Sequence, residues 1–389
     1  MSHTPTEFLK IANRTAEHFG FQTIDQLKRC PECKRCEKTM PHTVTSTNKR
    51  TDSHQGLLSS GIATFCEEKL HSLEKPILLY SFEQVPRTGE TAVTFHIFNV
   101  ERSIAEAILI HATRALINDL GYIDHTVRIN SLGDTDSLTR YSRELTNFLR
   151  KRLDMMPPVA RELMKEHPLS TLSYLVDQNH ELANRSPNPL EYLSDPSRKH
   201  FREIIEYLDM SETPYEIDPK MLGHHECYSD TIFSLDISSD DPEFETPVTA
   251  RGGRFDEFVY RTTRTRTPAV GAVVVLKNSK APVRSPKAKT QTPSVYVVQL
   301  GFGPKIKSLL LIDSLRQAGI PTYHNLASDS LSSQLRDAEA RGVKYTLIIG
   351  QKEFVENTVI FRDMDVRNQE YVDQATLIRK LKRKSSVTT

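Results

Sequence analysis

The stretch from Arg251 to Gly271 holds the residues best suited to chemistry. It opens Arg251-Gly252-Gly253-Arg254-Phe255-Asp256 and closes Thr267-Pro268-Ala269-Val270-Gly271. Two glycines beside an arginine can shape the floor of a small-molecule pocket. The same glycines equally permit a tight turn that Asp256 caps. Earlier in the chain, Cys30, Cys33 and Cys36 are followed by His42. Thiolates at this spacing can wrap one zinc, and the imidazole can complete a tetrahedron. The loop is short for three ligands and no distant Cys-x-x-Cys pair exists. Free or redox-active thiols are therefore the expectation, with zinc as the alternative. His224, His225, Glu226 and Cys227 form a second cluster, but adjacent strand residues point to opposite faces, which argues against a metal there.

Composition sets the class. The chain has 389 residues, enough for two or three domains, and 38% of them are hydrophobic, enough for real cores. Lys+Arg (51) nearly balances Asp+Glu (50), so overall charge does not announce nucleic acid. Local tracts do differ: Lys277, Lys280, Arg284, Lys287 and Lys289, then Arg379, Lys380, Lys382, Arg383 and Lys384. These can contact phosphates or can be solvated linker and tail. No apolar run approaches the roughly 20 residues that cross a bilayer. Met1 to Lys10 lacks a signal-peptide pattern, and five cysteines do not make a secreted disulfide framework. A soluble cytoplasmic protein is expected.

The elements that must position these residues follow from periodicity. Phe8, Ile11, Ala12, Thr15 and Phe19 share one face of a helix over 5–19 that Gly20 can end. Strands are expected at 77–82, 92–100, 126–130, 231–237 and 269–276, and helices at 102–120 and 136–152. Residues 30–56 read as irregular. Residues 153–213 read as an inserted helical module and 277–292 as a basic, Pro/Lys/Ser-rich linker. Beyond it, strands at 295–300, 321–324, 345–350 and 358–362 alternate with helices at 304–318, 330–341 and 375–384. That alternation argues for a parallel or mixed sheet with helices packed on it.

The Arg251–Gly271 stretch resembles the third signature motif of histidyl-tRNA synthetases, a class II aminoacyl-tRNA synthetase family. Further segments resemble the same family in order and spacing. Phe95-His96-Ile97-Phe98-Asn99-Val100-Glu101 stands for its Phe-His-Gln-Phe-Gly-Val-Glu. Arg128-Ile129-Asn130-Ser131-Leu132-Gly133-Asp134 follows. Ile217-Asp218-Pro219 precedes Tyr228-Ser229-Asp230-Thr231-Ile232-Phe233, where the family has Tyr-Thr-Gly-Thr-Val-Phe. Ser330 to Gly350 resembles its anticodon-binding domain. The resemblance implies an α+β fold: a six-stranded antiparallel class II core over 1–152 and 214–276, a helical insertion over 153–213, and an α/β anticodon-binding domain over 293–389. It also implies a homodimer.

The family's reaction attacks the α-phosphate of ATP with the carboxylate of histidine. Guanidinium groups suit it because they stay charged and fork onto two oxygens. Carried over without gaps, the three family arginine positions are Glu83, Gly223 and Asn278, and the glutamine position is Ile97. The Arg-Pro-Glu segment falls loosely at Gln55-Gly56-Leu57, and the motif 1 proline near Leu27. Each missing donor to a developing oxyanion is worth about 3–4 kcal/mol, though such losses do not add. Glu83 further repels a triphosphate, and Arg87, four residues on, is the one nearby substitute. Glu101 stands where the family places a carboxylate near ATP. With the arginine partners gone, its expected role is a helix N-terminal charge favoured by the macrodipole.

The expectation is a degenerate, non-catalytic paralogue. His96, Glu101, Tyr228, Gly252, Gly253 and Arg254 would be pocket remnants, and Gln334, Arg336 and Lys344 would face tRNA. No cofactor is expected; ATP with Mg belongs only to the alternative of an active histidine–tRNA ligase with relocated phosphate-binding groups. A second alternative is a regulatory partner of ATP phosphoribosyltransferase, whose subunits resemble the same core. Residues 293–389 argue against it.

Overall fold

Thr4 starts the first helix. Its hydroxyl accepts from the Glu7 N–H at 3.3 Å while the Glu7 carboxylate accepts from the Thr4 N–H at 3.0 Å. This capping box satisfies donors that every helix start leaves unpaired. The computed structural model describes residues 3–24, 53–68, 70, 75–85, 88–223, 227–237, 248–277 and 293–386. Helices α1 (Pro5–His18) and α2 (Ser53–Glu67) precede strands β1 (Ile77–Gln84) and β2 (Thr91–Phe98). Then come α3 (Ile104–Asp119), β3 (His125–Gly133) and α4 (Thr135–Arg150). Helices α5 (Pro158–Glu166), α6 (Pro168–Asp177), α7 (Glu181–Asn184) and α8 (Asp195–Met210) follow. Strands β4 (Tyr215–Ile217), β5 (Ser229–Ile237) and β6 (Val248–Arg254), helix α9 (Asp256–Thr263) and strand β7 (Ala269–Leu276) complete the core.

The core sheet has seven strands in the order β1-β2-β7-β6-β5-β3-β4. The first six pair antiparallel in succession, as expected, and β4 adds parallel to β3 at the edge. A three-residue strand carries too little alternation to be read from sequence. Strands β2 and β7 are buried along all eight residues. Their near-continuous apolar runs have this origin, because both faces of the sheet are covered. On the back face, Phe95, Ile97, Val270, Ala272 and Val274 pack with α1, α3 and residues Phe201, Ile204, Tyr207 and Leu208 of α8. On the front, Phe98, Ala269, Val273 and Val275 share a cluster with Leu57, Leu58, Ile62 and Phe65 of α2. That same cluster takes in Tyr141, Leu145 and Leu149 of α4 and Leu169, Leu172 and Leu175 of α6. The 153–213 segment thus serves both sides: α6 joins the front cluster and α8 belongs to the back layer.

The C-terminal unit runs β8 (Val295–Gln299), α10 (Phe302–Gln317), β9 (Thr322–His324), α11 (Leu331–Ala340), β10 (Tyr345–Ile349), α12 (Gln351–Glu356), β11 (Thr358–Asp363), β12 (Gln369–Asp373) and α13 (Gln374–Ser386). Its sheet order is β12-β11-β10-β8-β9. β8 is parallel to β9 and β10, while β11 is antiparallel to β10 and β12. This mixed sheet shares one apolar cluster with the core's back face, through Ile306, Leu309 and Ile312 of α10. Helices α3 and α10 are joined near both ends. Arg102 and Lys305 both hold Asp329 at one end, and Arg316 holds Asp119 at the other. The expected linker, from 278 on, lies outside the described residues.

Candidate functional site

Strand register lines up Leu79, His96, Gly271, Gly253, Ile232 and Asn130 as one row across the front face. Helix α2 lies on this row because Gly61 carries no side chain. A Cβ there would sit 2.1 Å from His96 Nε2. Phe65 stacks on Phe98 with ring centroids 4.2 Å apart, and Phe255 meets the His96 ring edge-on at 6.0 Å. His96 is wholly buried, neither ring nitrogen has a hydrogen-bond partner among the described residues, and burial pulls its pKa down to about 3. The ring is therefore neutral and acts as packing. A Cβ on Gly253 would lie 2.5 Å from the Thr231 carbonyl oxygen and 2.8 Å from Tyr228 Cδ1. The space over these glycines is occupied by the protein's own groups.

Two rows further along the same face, Glu83 stands opposite Ala92. Its Oε1 accepts from Ser60 Oγ at 2.8 Å and from Ser81 Oγ at 2.9 Å. Ser81 also bonds Thr94 at 2.7 Å. Register through Val273 brings Arg251 into the Ser81–Thr94 row. Its side chain is exposed and, among the described residues, has no hydrogen bond or ion pair. Glu101, also exposed, lies between β2 and α3. Gly223 takes a left-handed φ of 57° and abuts the Tyr228 ring.

Arg254 lies on the opposite face. Strand alternation turns it toward α3, where Nε reaches Glu106 Oε1 at 2.7 Å and Nη2 reaches Oε2 at 2.9 Å. His200 Nε2 on α8 bonds the same Oε1 at 2.8 Å, and Arg254 Nη1 approaches Asp256 Oδ2 at 3.3 Å. Burial alone would raise the Glu106 pKa. The Arg254 and His200 charges outweigh it and hold the carboxyl at about 2. Gly252 also belongs to the back, packed on Phe233. Of the expected pocket residues, then, His96, Tyr228 and Gly253 meet on the front, and Arg254 and Gly252 do not join them. The sequence did carry a signal for Glu106: one acid inside Ile104-Ala105-Glu106-Ala107-Ile108 asks for a buried partner.

In the C-terminal unit, Gln334 is buried rather than outward-facing. Its Oε1 accepts from the Gln299 N–H at 3.1 Å and its Nε2 donates to the Gln299 carbonyl at 2.9 Å. It completes the end of strand β8, while Arg336 and Lys344 are exposed. Helix α11 packs over β8, placing Ala338 with Tyr296 and Val298. On the rest of that sheet face, one row joins Ile348, Ile360 and Tyr371, and the next joins Thr346, Arg362 and Gln369. Tyr371 is 60% exposed, and Lys352 Nζ stands 5.1 Å from its ring centre.

Residues 295–384 match the anticodon binding domain family. The histidine–tRNA ligase of Fervidobacterium nodosum is 27% identical over 300 residues, 75% of this chain and 70% of that protein. That of Listeria innocua is 26% identical over 339 residues, 83% and 79% of the two chains. Over most of its length the chain is thus similar to histidyl-tRNA synthetases, and its C-terminal unit matches an anticodon binding domain. Among solved structures, an apo histidyl-tRNA synthetase of S. aureus has 19% identity, coverage of 83% and 81%, and a TM-score of 0.46. Of the three family arginine positions, Glu83 and Gly223 are described above, and Asn278 lies outside the described residues. So do Leu27, the Cys30–Cys33–Cys36–His42 group, Arg87 and His224 to Glu226. Among the described residues no three metal-ligating side chains cluster, and no helix is long and apolar enough to cross a membrane.

Proposed function

We propose that this protein does not form histidyl-adenylate and acts as a dimeric tRNA-binding module. The observation that carries the reading is Glu83. At a family arginine position it presents a carboxylate, held on the front face by the Ser60 and Ser81 hydroxyls. A fixed negative charge there opposes the charge that gathers on phosphorus as pyrophosphate leaves. The filled space around His96 and Gly253 supports the same reading. The open face of the C-terminal sheet supports RNA binding, since an exposed tyrosine beside Lys352 and Arg362 suits a stacked base and its phosphate. No ATP or magnesium is required for this role. Pyrophosphate exchange with ATP and histidine tests it: background exchange is expected, and robust exchange refutes it. A mobility shift with histidine tRNA at several salt concentrations tests the RNA half.

One observation favours an active ligase instead. Arg251 extends a guanidinium that is unpaired among the described residues, on the same face as Glu83. If Arg251 had taken over phosphate binding, exchange would be robust and R251A would abolish it.

A further inference from the structure

The buried charge cluster on the back face is unbalanced. Three carboxylates, Glu106 on α3, Asp230 on β5 and Asp256 at the start of α9, surround one guanidinium, Arg254 on β6. Burial pushes both aspartates above the usual range against the pull of Arg254, and the Glu106 charge adds a smaller push the same way. Among the described residues, His200 is the one other titratable group bonded to Glu106. It comes from α8, the helix that returns the 153–213 segment to the sheet, and its side chain is 19% exposed. One turn before it, Ser197 donates to Asp230 Oδ1 at 2.9 Å. One turn after it, Glu203 accepts from Ser103 at 2.6 Å. About two turns of α8 are therefore seated on and beside the cluster, with His200 at their centre.

We propose that His200 is a protonation-dependent clasp that holds α8 on the class II core. Charged, it supplies the second cation that the three carboxylates lack. Neutral, it still donates one hydrogen bond from Nε2, but the ionic attraction goes and Arg254 alone faces the negative surplus. Burial opposes the charged form, yet Glu106 lifts the His200 pKa above its ordinary value. The clasp is therefore fully closed below the ordinary histidine pKa and slackens as pH rises through that raised value.

Hydrogen exchange of the full chain, normalised to intrinsic exchange at each pH, reads this directly. Protection of 195–210 should fall on going from acid to alkaline pH, by about tenfold for each unit by which the His200 pKa is raised. Protection in the C-terminal sheet should not change. His200→Gln, which keeps a neutral donor, should show the alkaline level at every pH. If that variant does not fold, histidine-labelled wild type suffices: the His200 resonance and the protection must share one midpoint. Protection that stays flat through the His200 titration, or a His200→Gln profile matching wild type, overturns the clasp.

Discussion

Arg254 and Glu106 grip each other through two parallel hydrogen bonds, 2.7 and 2.9 Å long, on the side of the sheet turned away from His96. Arg254 comes from the Gly-Gly-Arg segment, where a pocket arginine was expected, and its guanidinium is spent on the core. Removing one partner strands a buried charge. Arg254→Met should destabilise the fold by about 3–5 kcal/mol, and Glu106→Leu in the same chain should return most of that, because an apolar pair replaces a buried ion pair at little loss. Denaturant unfolding of the single and double variants measures it. Equal destabilisation by both would show that packing around Arg254, not its charge, matters.

The same pair sets the acid limit. The Glu106 carboxyl is held at about 2 against an ordinary 4.5. A depressed acid stabilises the fold above its unfolded pKa and loses that contribution as pH falls through its folded one. Stability should therefore decline from near pH 4.5 down toward 2, and Glu106→Gln should flatten this limb. Unfolding midpoints taken across that range decide it.

Gly61 sets how closely α2 approaches the sheet. Gly61→Ala drives a methyl into His96 Nε2, and overpacking of this kind costs about 1–3 kcal/mol. His96→Ala in the same chain should relieve it. If Gly61→Ala alone is neutral, α2 can slide along the sheet, and the space over Gly253 and Gly271 is open to a ligand after all.

Much of this architecture was legible in the sequence. Strong apolar runs such as Ala269–Leu276 and amphipathic helices such as Thr135–Arg150 stand where periodicity places them. Weak or short elements were not legible. Helix α2 begins at Ser53, inside a segment read as irregular, because Ser, Gly and Thr give it little propensity. Strands β4 and β12, three and five residues long, leave at most a faint alternation. Site residues followed the same logic: motif spacing located Arg254, but only strand parity decides which face receives it. Gln334 was read as exposed because an amide on a polar helix has no sequence mark of burial. Its two bonds to the Gln299 backbone come from an element 35 residues away.

That difference between Gln334 and its neighbours yields a discriminating measurement on RNA. Gln334→Leu leaves the Gln299 N–H and carbonyl unpaired in the core, so it should cost about 1–3 kcal/mol of stability for each group stranded while leaving the salt dependence of RNA binding unchanged. Lys352→Ala and Arg362→Ala remove cations from the open face beside Tyr371. Each should weaken binding and reduce the slope of log affinity against log salt by about one if it meets a phosphate. Tyr371→Ala should weaken binding without changing that slope, because stacking releases no counterion. Titrations with histidine tRNA at several salt concentrations separate these outcomes. Unchanged affinity in all three surface variants would move the RNA contact off this sheet face, leaving exposed Arg336 and Lys344 as the next positions to vary.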